Sequence, residues 1–198
     1  MLMTDKLTLE IYGKKAQDYV NMIATNKPNC HLRAFIAAVP KGGHALDIGC
    51  GPGHSAAAMQ AAGLTVTAIN PSPEMSILGK ERFGIDITQG SYEDITEKAH
   101  YDGIWSSFSM LHVLRTDVPK HLNAIKRALK PNGTLVIGVK KGTGEARDSI
   151  GRLYTYFTRN ELDTLLCNAG LTPTDHFEGS EAGLAGTIDP FIIVTAHA

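Results

Sequence analysis

One short stretch decides how this chain is interpreted: Ala45-Leu46-Asp47-Ile48-Gly49-Cys50-Gly51-Pro52-Gly53-His54-Ser55. Apolar residues lead into an aspartate, and three glycines then alternate with other residues before an alanine-rich segment that is typical of a helix. This order predicts a strand, a tight turn and a helix N-terminus. Glycines in such a turn let a ligand approach the backbone where a side chain would block it.

The spacing of the glycines limits the ligands that this turn can bind. A dinucleotide fingerprint, G-x-G-x-x-G, would need its third glycine at position 54, where the chain has His54. A P-loop needs a lysine after the last glycine, and none follows Gly53. The spacing therefore argues against a nicotinamide dehydrogenase and a P-loop protein. It leaves an acidic residue followed by G-x-G-x-G, or an ordinary strand-to-helix turn without a ligand.

The acidic residue and its glycines, Asp47 with Gly49, Gly51 and Gly53, resemble motif I of the class I methyltransferases that use S-adenosylmethionine. Four further segments resemble landmarks of that family in the same order, namely Asn70-Pro71-Ser72-Pro73-Glu74-Met75, Gly90-Ser91-Tyr92-Glu93-Asp94, Tyr101-Asp102-Gly103-Ile104-Trp105-Ser106-Ser107-Phe108 and Leu129-Lys130-Pro131-Asn132-Gly133-Thr134-Leu135. Together the five segments cover about residues 40–140.

The resemblance implies an α/β fold, with a Rossmann-like, doubly wound sheet of seven strands. The sheet would be mostly parallel with an antiparallel last strand, and helices would cover both faces. S-adenosylmethionine would be the cofactor, S-adenosylhomocysteine the product, and no metal would be needed. The resemblance places these residues at the cofactor: Asp47, Gly49, Cys50, Gly51, Gly53, Asn70, Pro71, Met75, Ser91, Tyr92, Glu93 and Ser106. Two of them depart from the family's pattern, because Asn70 replaces its acidic ribose ligand and Ser91 its usual aspartate.

The composition is that of an ordinary globular domain. The 198 residues carry a formal net charge of −1, with 43% hydrophobic and 20% charged residues, so nothing in the overall charge favours nucleic acid or an anionic membrane as a partner. Cys30, Cys50 and Cys167 form no C-x-x-C pair, so we expect no disulfides and a cytoplasmic location. Scattered histidines argue against a metal site. The start of the chain has no apolar signal segment, and no run of about 18 apolar residues predicts a membrane span.

Strand-like and helix-like segments alternate along the chain, which predicts a parallel sheet covered on both faces. The predicted strands are 44–49, 65–69, 85–88, 101–106, 133–139, 172–178 and 190–196. The predicted helices lie near 10–24, 29–39, 54–62, 73–82, 117–129 and 158–169, with Asp117 and Thr158 as N-caps of the last two. We expect one domain over 1–198, in which residues 1–39 form N-terminal helices that could act as a lid and 40–198 form the Rossmann-like core.

One histidine is a candidate for catalysis. His112 follows the fourth predicted strand, at the edge of the sheet where the cofactor motifs meet. Its unperturbed pKa of about 6.5 would suit a general base near neutral pH. The alternative is a packed histidine bonded to the backbone.

Five residues are candidates for binding the methyl acceptor. Tyr12 and Tyr19 recur at helical spacing, so they could contact the acceptor together or simply pack on the edge of the sheet. Lys140, Arg147 and Arg152 belong to a charged, glycine-containing segment after the fifth strand. That segment could recognise an anionic acceptor, or it could be a solvated loop.

These observations favour methyl transfer to a small molecule by in-line displacement. Two alternatives stay open. The chain could keep the fold while having lost catalysis, serving as a binding or regulatory protein. Asn70 favours this alternative, because it replaces the family's acidic ribose ligand. It could also methylate RNA or protein, against which the near-neutral charge and the lack of an appended binding domain argue. The sequence does not determine the acceptor, its reacting atom, the use of a base or the oligomeric state.

Overall fold

The structure is a computed structural model that describes residues 5–23 and 28–198. Seven strands form one sheet in the order β3-β2-β1-β4-β5-β9-β8. These strands are β1 His44–Ile48, β2 Thr65–Asn70, β3 Thr88–Gln89, β4 Tyr101–Ser107, β5 Leu129–Lys140, β8 Thr172–Ala182 and β9 Ile188–His197, and a separate hairpin consists of β6 Glu145–Arg147 and β7 Leu153–Thr155. Strand β9 runs antiparallel to both of its neighbours, while β1 to β5 pair in parallel. The predicted fold class is confirmed.

Helices cover both faces of this sheet. They are α1 Lys6–Lys14, α2 Ala16–Ile23, α3 Cys30–Ala38, α4 His54–Ala61, α5 Pro73–Phe83, α6 Val118–Ala128 and α7 Arg159–Asn168. Side chains alternate across a strand, so Leu46 and Ile48 of β1 belong to the core beneath α6 and α7, while Ala45 belongs to the core beneath α3 and α4. Asp47 shares the face of Ala45, which makes it a polar residue on a buried face.

Local sequence explains where most helices begin. Side chains of Asp5, Asn29, Ser72 and Thr158 accept backbone N–H groups of the following turn, at Thr8, Leu32, Met75 and Glu161. The cap predicted at Thr158 is therefore confirmed. Asp117 also lies at the predicted N-cap position of α6, but its carboxylate makes no capping bond, because it ends a 3-10 turn with helical backbone angles.

Three local features differ from the predicted elements. The helix predicted near 10–24 is two helices that separate at Lys15, and residue 24 lies outside the described residues. The third strand is reduced to Thr88–Gln89, because Ile85 is buried in a small cluster with Cys50 and Ala56 instead of pairing in the sheet. The loop predicted after β5 contains the hairpin β6–β7, whose strands of three residues are too short to show an alternating pattern.

The N-terminal helices α1 and α2 pack against α5, where the carboxyl group of Glu74 approaches Gly13. This packing carries Tyr12 and Tyr19 to the edge of the sheet at which the parallel strands end. None of the helices that the structure describes is long and apolar enough to cross a membrane.

Candidate active site

Two connected clefts lie at the carboxyl ends of the parallel strands. The first, of about 740 Å³, is lined by Gly49, Gly51, Asn70, Pro71, Met75, Ser91 and Tyr92, among others. The second, of about 1080 Å³, is lined by residues that include Asp47, Cys50, Trp105, Lys140, Arg152, Tyr154 and Glu181. Both share Tyr12, Tyr19, Gly49, Ser107, Phe108 and His112. Clefts at the carboxyl ends of the strands in open α/β sheets are typical ligand sites.

The glycine turn forms the floor between the clefts. Gly49, Gly51 and Gly53 all have left-handed backbone angles, with φ of 68°, 56° and 81°. The N–H groups of Gly49 and Cys50 donate to the carbonyl of Ile69 at 2.8 and 3.1 Å, which fixes the turn against β2. A side chain on Gly51 would point towards Tyr19 across the cleft, whereas Gly53 faces Ile85 and lines neither cleft.

Asp47 places a buried carboxyl group beside the turn. Its side chain is 2% exposed, and its Oδ2 has no hydrogen-bond partner among the residues that the structure describes. Burial raises the pKa of Asp47 to about 7, against a lowering contribution from the backbone N–H of Ala56. A buried carboxylate oxygen without a donor is costly, so this arrangement suits a ligand that brings a cationic donor.

Asn70 ends β2 and lines the first cleft. Its Oδ1 accepts the backbone N–H of Ser72 at 2.9 Å, which closes a local turn before α5. The amide oxygen is therefore engaged within the protein, and the amide NH2 is the group left for a ligand. Pro71 and Met75 line the same cleft beside it.

Ser91 and Tyr92 belong to one short 3-10 turn. Ser91 caps this turn, because its hydroxyl accepts the N–H of Glu93 at 3.3 Å while its own N–H donates to Asp94. The hydroxyl of Tyr92 lies 2.7 Å from that of Ser106 and 2.6 Å from that of Ser109. Burial raises the pKa of Tyr92 to about 12, so its phenol stays protonated.

The hydroxyl of Ser109 continues this chain of hydrogen bonds to the carbonyl of Ile48 at 2.8 Å. Together the three hydroxyls tie the ends of β1 and β4 to each other. Ser106 is completely buried and lines neither cleft, so it supports the site from below. Glu93 points elsewhere, since its carboxylate binds Lys120 and lies 3.6 Å from His121.

His112 is held by hydrogen bonds on both ring nitrogens. Nδ1 donates to the carbonyl of Leu153 at 2.8 Å, so Nε2 accepts the Tyr12 hydroxyl at 2.8 Å when the ring is neutral. Burial lowers the pKa of His112 to about 4, the bond to Leu153 opposes this, and the positive charge of Arg152 adds to it. The ring also stacks on Tyr154 with centroids 5.0 Å apart. A neutral, fully bonded imidazole is closer to the packed alternative than to an exposed base.

Arg152 completes this buried network. Its Nη1 donates to the Tyr12 oxygen at 2.8 Å, and Asp148 binds its Nε at 2.9 Å and its Nη2 at 2.7 Å. The side chain of Arg152 is 3% exposed. Tyr12 therefore receives a hydrogen bond from a cation and donates one to the neutral His112, which fixes its phenol at the boundary of the two clefts.

The remaining candidates for acceptor binding divide into two groups. Tyr19 lies in both clefts, with its ring edge-on to Tyr12 at 6.0 Å, although the two tyrosines occupy different helices. Lys140 is buried in the second cleft, 3.4 Å from Asp189. Arg147 does not reach either cleft, because it lies on β6 and binds Asp5 at 2.8 and 2.9 Å. The expectation that Arg147 contacts an acceptor therefore has no support in the geometry.

Phe108 and Trp105 are among the cleft residues that the sequence did not identify. Phe108 has φ of 52°, unusual for a residue with a side chain, and lines both clefts. Trp105 lines the second cleft with its Nε1 buried and without a partner among the described residues. Only its place in β4, opposite Asp47 in the strand register, could have drawn attention to Trp105. No group of three or more histidines, cysteines and acidic residues within 5–23 and 28–198 is arranged to hold a metal.

Comparisons with known proteins agree with this geometry. Residues 46–137 match the family model described as a methyltransferase domain. A ubiquinone/menaquinone biosynthesis C-methyltransferase UbiE from Rubrivivax gelatinosus is 38% identical over 106 residues, which are 51% of this chain and 41% of that protein. The chain spans about half the length of the curated relatives it matches.

Solved structures share the whole fold. The 1,6-didemethyltoxoflavin-N1-methyltransferase of Burkholderia thailandensis superposes with a TM-score of 0.74 at 23% identity, covering 96% of this chain and 87% of that one. The [4+2]-cyclase SpnF superposes with a TM-score of 0.74 at 16% identity, covering 99% and 96% of the two chains. Residues 46–137 therefore form a methyltransferase domain, and the chain has the Rossmann-like fold of the S-adenosylmethionine-dependent methyltransferases.

Proposed function

We propose that this protein transfers a methyl group from S-adenosylmethionine to a small-molecule acceptor. The observation that carries the proposal is Oδ2 of Asp47, which has no partner among residues 5–23 and 28–198 and is buried beside a turn of left-handed glycines. The ammonium group of the cofactor would supply the missing donor. The left-handed glycines leave room for its ribose and methionine parts to approach the backbone.

The cofactor would extend along the first cleft. Asn70 would donate its amide NH2 to a ribose hydroxyl, and the 3-10 turn at Ser91 and Tyr92 would lie beside the adenine. The rigid hydroxyl chain from Tyr92 to Ile48 supports this role, because it fixes the strand ends that the cofactor must bridge. When bound, the cofactor supplies the electrophilic methyl group, so the protein's task is to bind and orient.

The acceptor would enter through the second cleft. Tyr12, held by Arg152 and His112, presents a fixed phenol where the two clefts meet. In this scheme His112 acts through Tyr12, which it positions, and takes no proton directly from the acceptor. A small-molecule acceptor is supported by the Burkholderia thailandensis methyltransferase of the same fold, which was solved with 1,6-didemethyltoxoflavin and S-adenosylhomocysteine bound.

Calorimetric titration with S-adenosylhomocysteine tests the cofactor site. Wild type should bind one equivalent, and Gly51→Val should abolish binding, because its side chain would enter the cleft towards Tyr19. Gly63→Val is the matched control, since Gly63 is also left-handed, with φ of 89°, and has open space around it. Equal affinity in wild type and a folded Gly51→Val variant would contradict the proposal.

A second function is favoured by one observation. The oxygen of Asn70 is engaged by Ser72 and the hydroxyl of Ser91 caps its own turn, so neither offers the family's carboxylate to the cofactor. A methyltransferase-fold binding protein without catalysis would fit these local bonds, and the cyclase SpnF illustrates that the fold also carries other chemistry. Failure to bind S-adenosylhomocysteine at about millimolar concentration would favour this second function.

A further inference from the structure

We propose that the methyl acceptor is an amine, which the second cleft binds in its cationic form before methylation of the nitrogen. This inference rests on the proposed methyl transfer and adds the chemical class of the acceptor. Three observations carry it. The arginines are paired with acids of the protein, the carboxylates of Glu181 and Asp189 outnumber the one ammonium group beside them, and aromatic side chains line the second cleft.

The arginines that could have bound an anionic acceptor are already neutralised by the protein. Arg152 is engaged through Nε and Nη2 by Asp148, at 2.9 and 2.7 Å, and both side chains are at least nine-tenths buried. Arg147 is engaged by Asp5 and lies outside the cleft. Neither guanidinium therefore offers a free charge to an incoming carboxylate or phosphate.

Two carboxylates and one ammonium group lie together at the second cleft, because Glu181 and Lys140 line it and Asp189 adjoins both of them. Glu181 of β8 stands directly opposite Asp189 of β9 in the strand register. Like charges in this position repel each other. Lys140 lies 3.4 Å from Asp189 and is the one ion-pair partner that the described residues provide for the two acids. Glu181 lines the cleft, so the deficit of one positive charge faces the space that the acceptor would enter.

Two further groups of the second cleft bear on the ligand. The indole N–H of Trp105 is buried, in a side chain 3% exposed, and has no acceptor among the described residues. As a donor it suits an acceptor atom elsewhere on the ligand and does not bind the ammonium group. Tyr19 lines both clefts. Burial is the main reason that the pKa of Tyr19 is raised, and the negative charges of Glu181 and Asp47 add to this effect.

Aromatic rings line the passage between these groups. Those of the second cleft are Tyr12, Tyr19, Trp105, Phe108 and Tyr154. Lys140 already makes a cation–π contact of 5.7 Å with Phe108, and Arg152 lies 5.1 and 5.2 Å from the rings of Tyr12 and Tyr154. Ring faces attract an ammonium group and repel an anion, so the wall and the carboxylates favour the same ligand charge.

The transfer step balances for an amine. The bound ammonium first loses a proton to water at the exposed Glu181, and the freed nitrogen lone pair then forms the new N–C bond. The C–S bond breaks as its electron pair returns to sulfur. The product is a methylated ammonium ion, whose charge the same carboxylate can hold until release.

A pair of probes that share a phenylethyl group but carry opposite charges separates a cation site from an anion site. Binding of 2-phenylethylamine and of 3-phenylpropionate would be measured by calorimetry on protein saturated with S-adenosylhomocysteine. We expect the amine to bind more tightly than the carboxylate. Glu181→Gln should weaken amine binding about threefold to fivefold, because the lost pair is partly exposed to solvent. Glu178→Gln, on the same strand but bound to Lys141 and outside both clefts, should change nothing.

Several outcomes would overturn the inference. These are tighter binding of the carboxylate, unchanged amine affinity in Glu181→Gln, or no binding of either probe to a complex that does hold S-adenosylhomocysteine. In each case the proposed methyl transfer would stand and only the acceptor class would fall. Failure of S-adenosylhomocysteine itself to bind would instead remove the proposed function, and this inference with it.

Discussion

Replacing Asn70 by aspartate tests how the protein holds the ribose of its cofactor. Asn70 is 8% exposed, and its Oδ1 accepts the Ser72 N–H at 2.9 Å. An aspartate would keep that bond with one carboxylate oxygen and would turn the other oxygen towards the first cleft. The ribose hydroxyls would then donate to a charged acceptor, where wild type offers an amide NH2.

The size of the effect follows from the difference between the two kinds of hydrogen bond. A bond to a charged group contributes about 1.5–3 kcal/mol and a neutral one about 0.5–1.5 kcal/mol. Burying the new carboxylate offsets part of this gain. We therefore expect the Asn70→Asp variant to bind S-adenosylhomocysteine more tightly by about 1 kcal/mol, or about fivefold.

Calorimetric titration at low salt measures this change. Asn160→Asp is the matched control, since it adds the same charge at an exposed position of α7 and should leave the affinity unchanged. A large loss of binding in Asn70→Asp would refute the reasoning, because it would mean that the site requires a neutral side chain. Unchanged affinity would mean that Asn70 does not contact the ribose.

Three further changes test the buried polar groups. Asp47→Asn should stabilise the free protein by about 3 kcal/mol at pH 7, because burial raises the pKa of Asp47 to about 7 from its ordinary value of 3.8 and folding therefore favours the neutral form. In urea unfolding, this gain in the free energy of unfolding should shrink as the pH falls towards about 4, and a gain that does not depend on pH would contradict the prediction. Asp148→Asn should destabilise the protein by about 3 kcal/mol, since it leaves Arg152 buried and unpaired. The control Asp86→Asn removes an exposed pair with Lys80 and should cost at most about 0.5 kcal/mol, so equal shifts of the urea midpoint in the two variants would contradict this difference. His112→Ala should lower turnover on an acceptor while leaving the affinity for S-adenosylhomocysteine nearly intact. NMR titration of wild type should find the His112 pKa near 4, whereas an ordinary pKa of about 6.5 would show that the ring is not buried.

Most of the fold could be predicted because its signals are local. The glycine pattern around Gly51 fixes a strand, a turn and a helix, and the capping residue Thr158 fixes the start of α7. The features that could not be predicted depend on distant contacts. The break at Lys15 follows from how α1 and α2 fold across the strand ends, and the short hairpin of β6 and β7 depends on its pairing.

The candidate site likewise contains residues that the sequence motifs identify and residues whose partners depend on distant contacts. Gly49, Gly51 and Asn70 belong to the motifs and line the first cleft together, whereas Gly53 faces Ile85. Arg147 has the positive charge expected of a residue that binds an anionic acceptor, and it lies in the predicted segment. Its guanidinium forms an ion pair with Asp5, some 140 residues away in sequence. The bonds from Tyr12 to His112 and Arg152 likewise join residues that are far apart in the chain. A sequence pattern identifies the residue type at each position, whereas partners of this kind appear only in the folded protein.

A crystal structure of the protein with S-adenosylhomocysteine bound would show whether the glycine turn holds the cofactor product. We expect the ribose beside Asn70 in the first cleft and the ammonium group of the ligand within hydrogen-bond distance of Asp47 Oδ2. Density for the ligand elsewhere, or an Asp47 oxygen still without a partner in a ligand-bound structure, would contradict it.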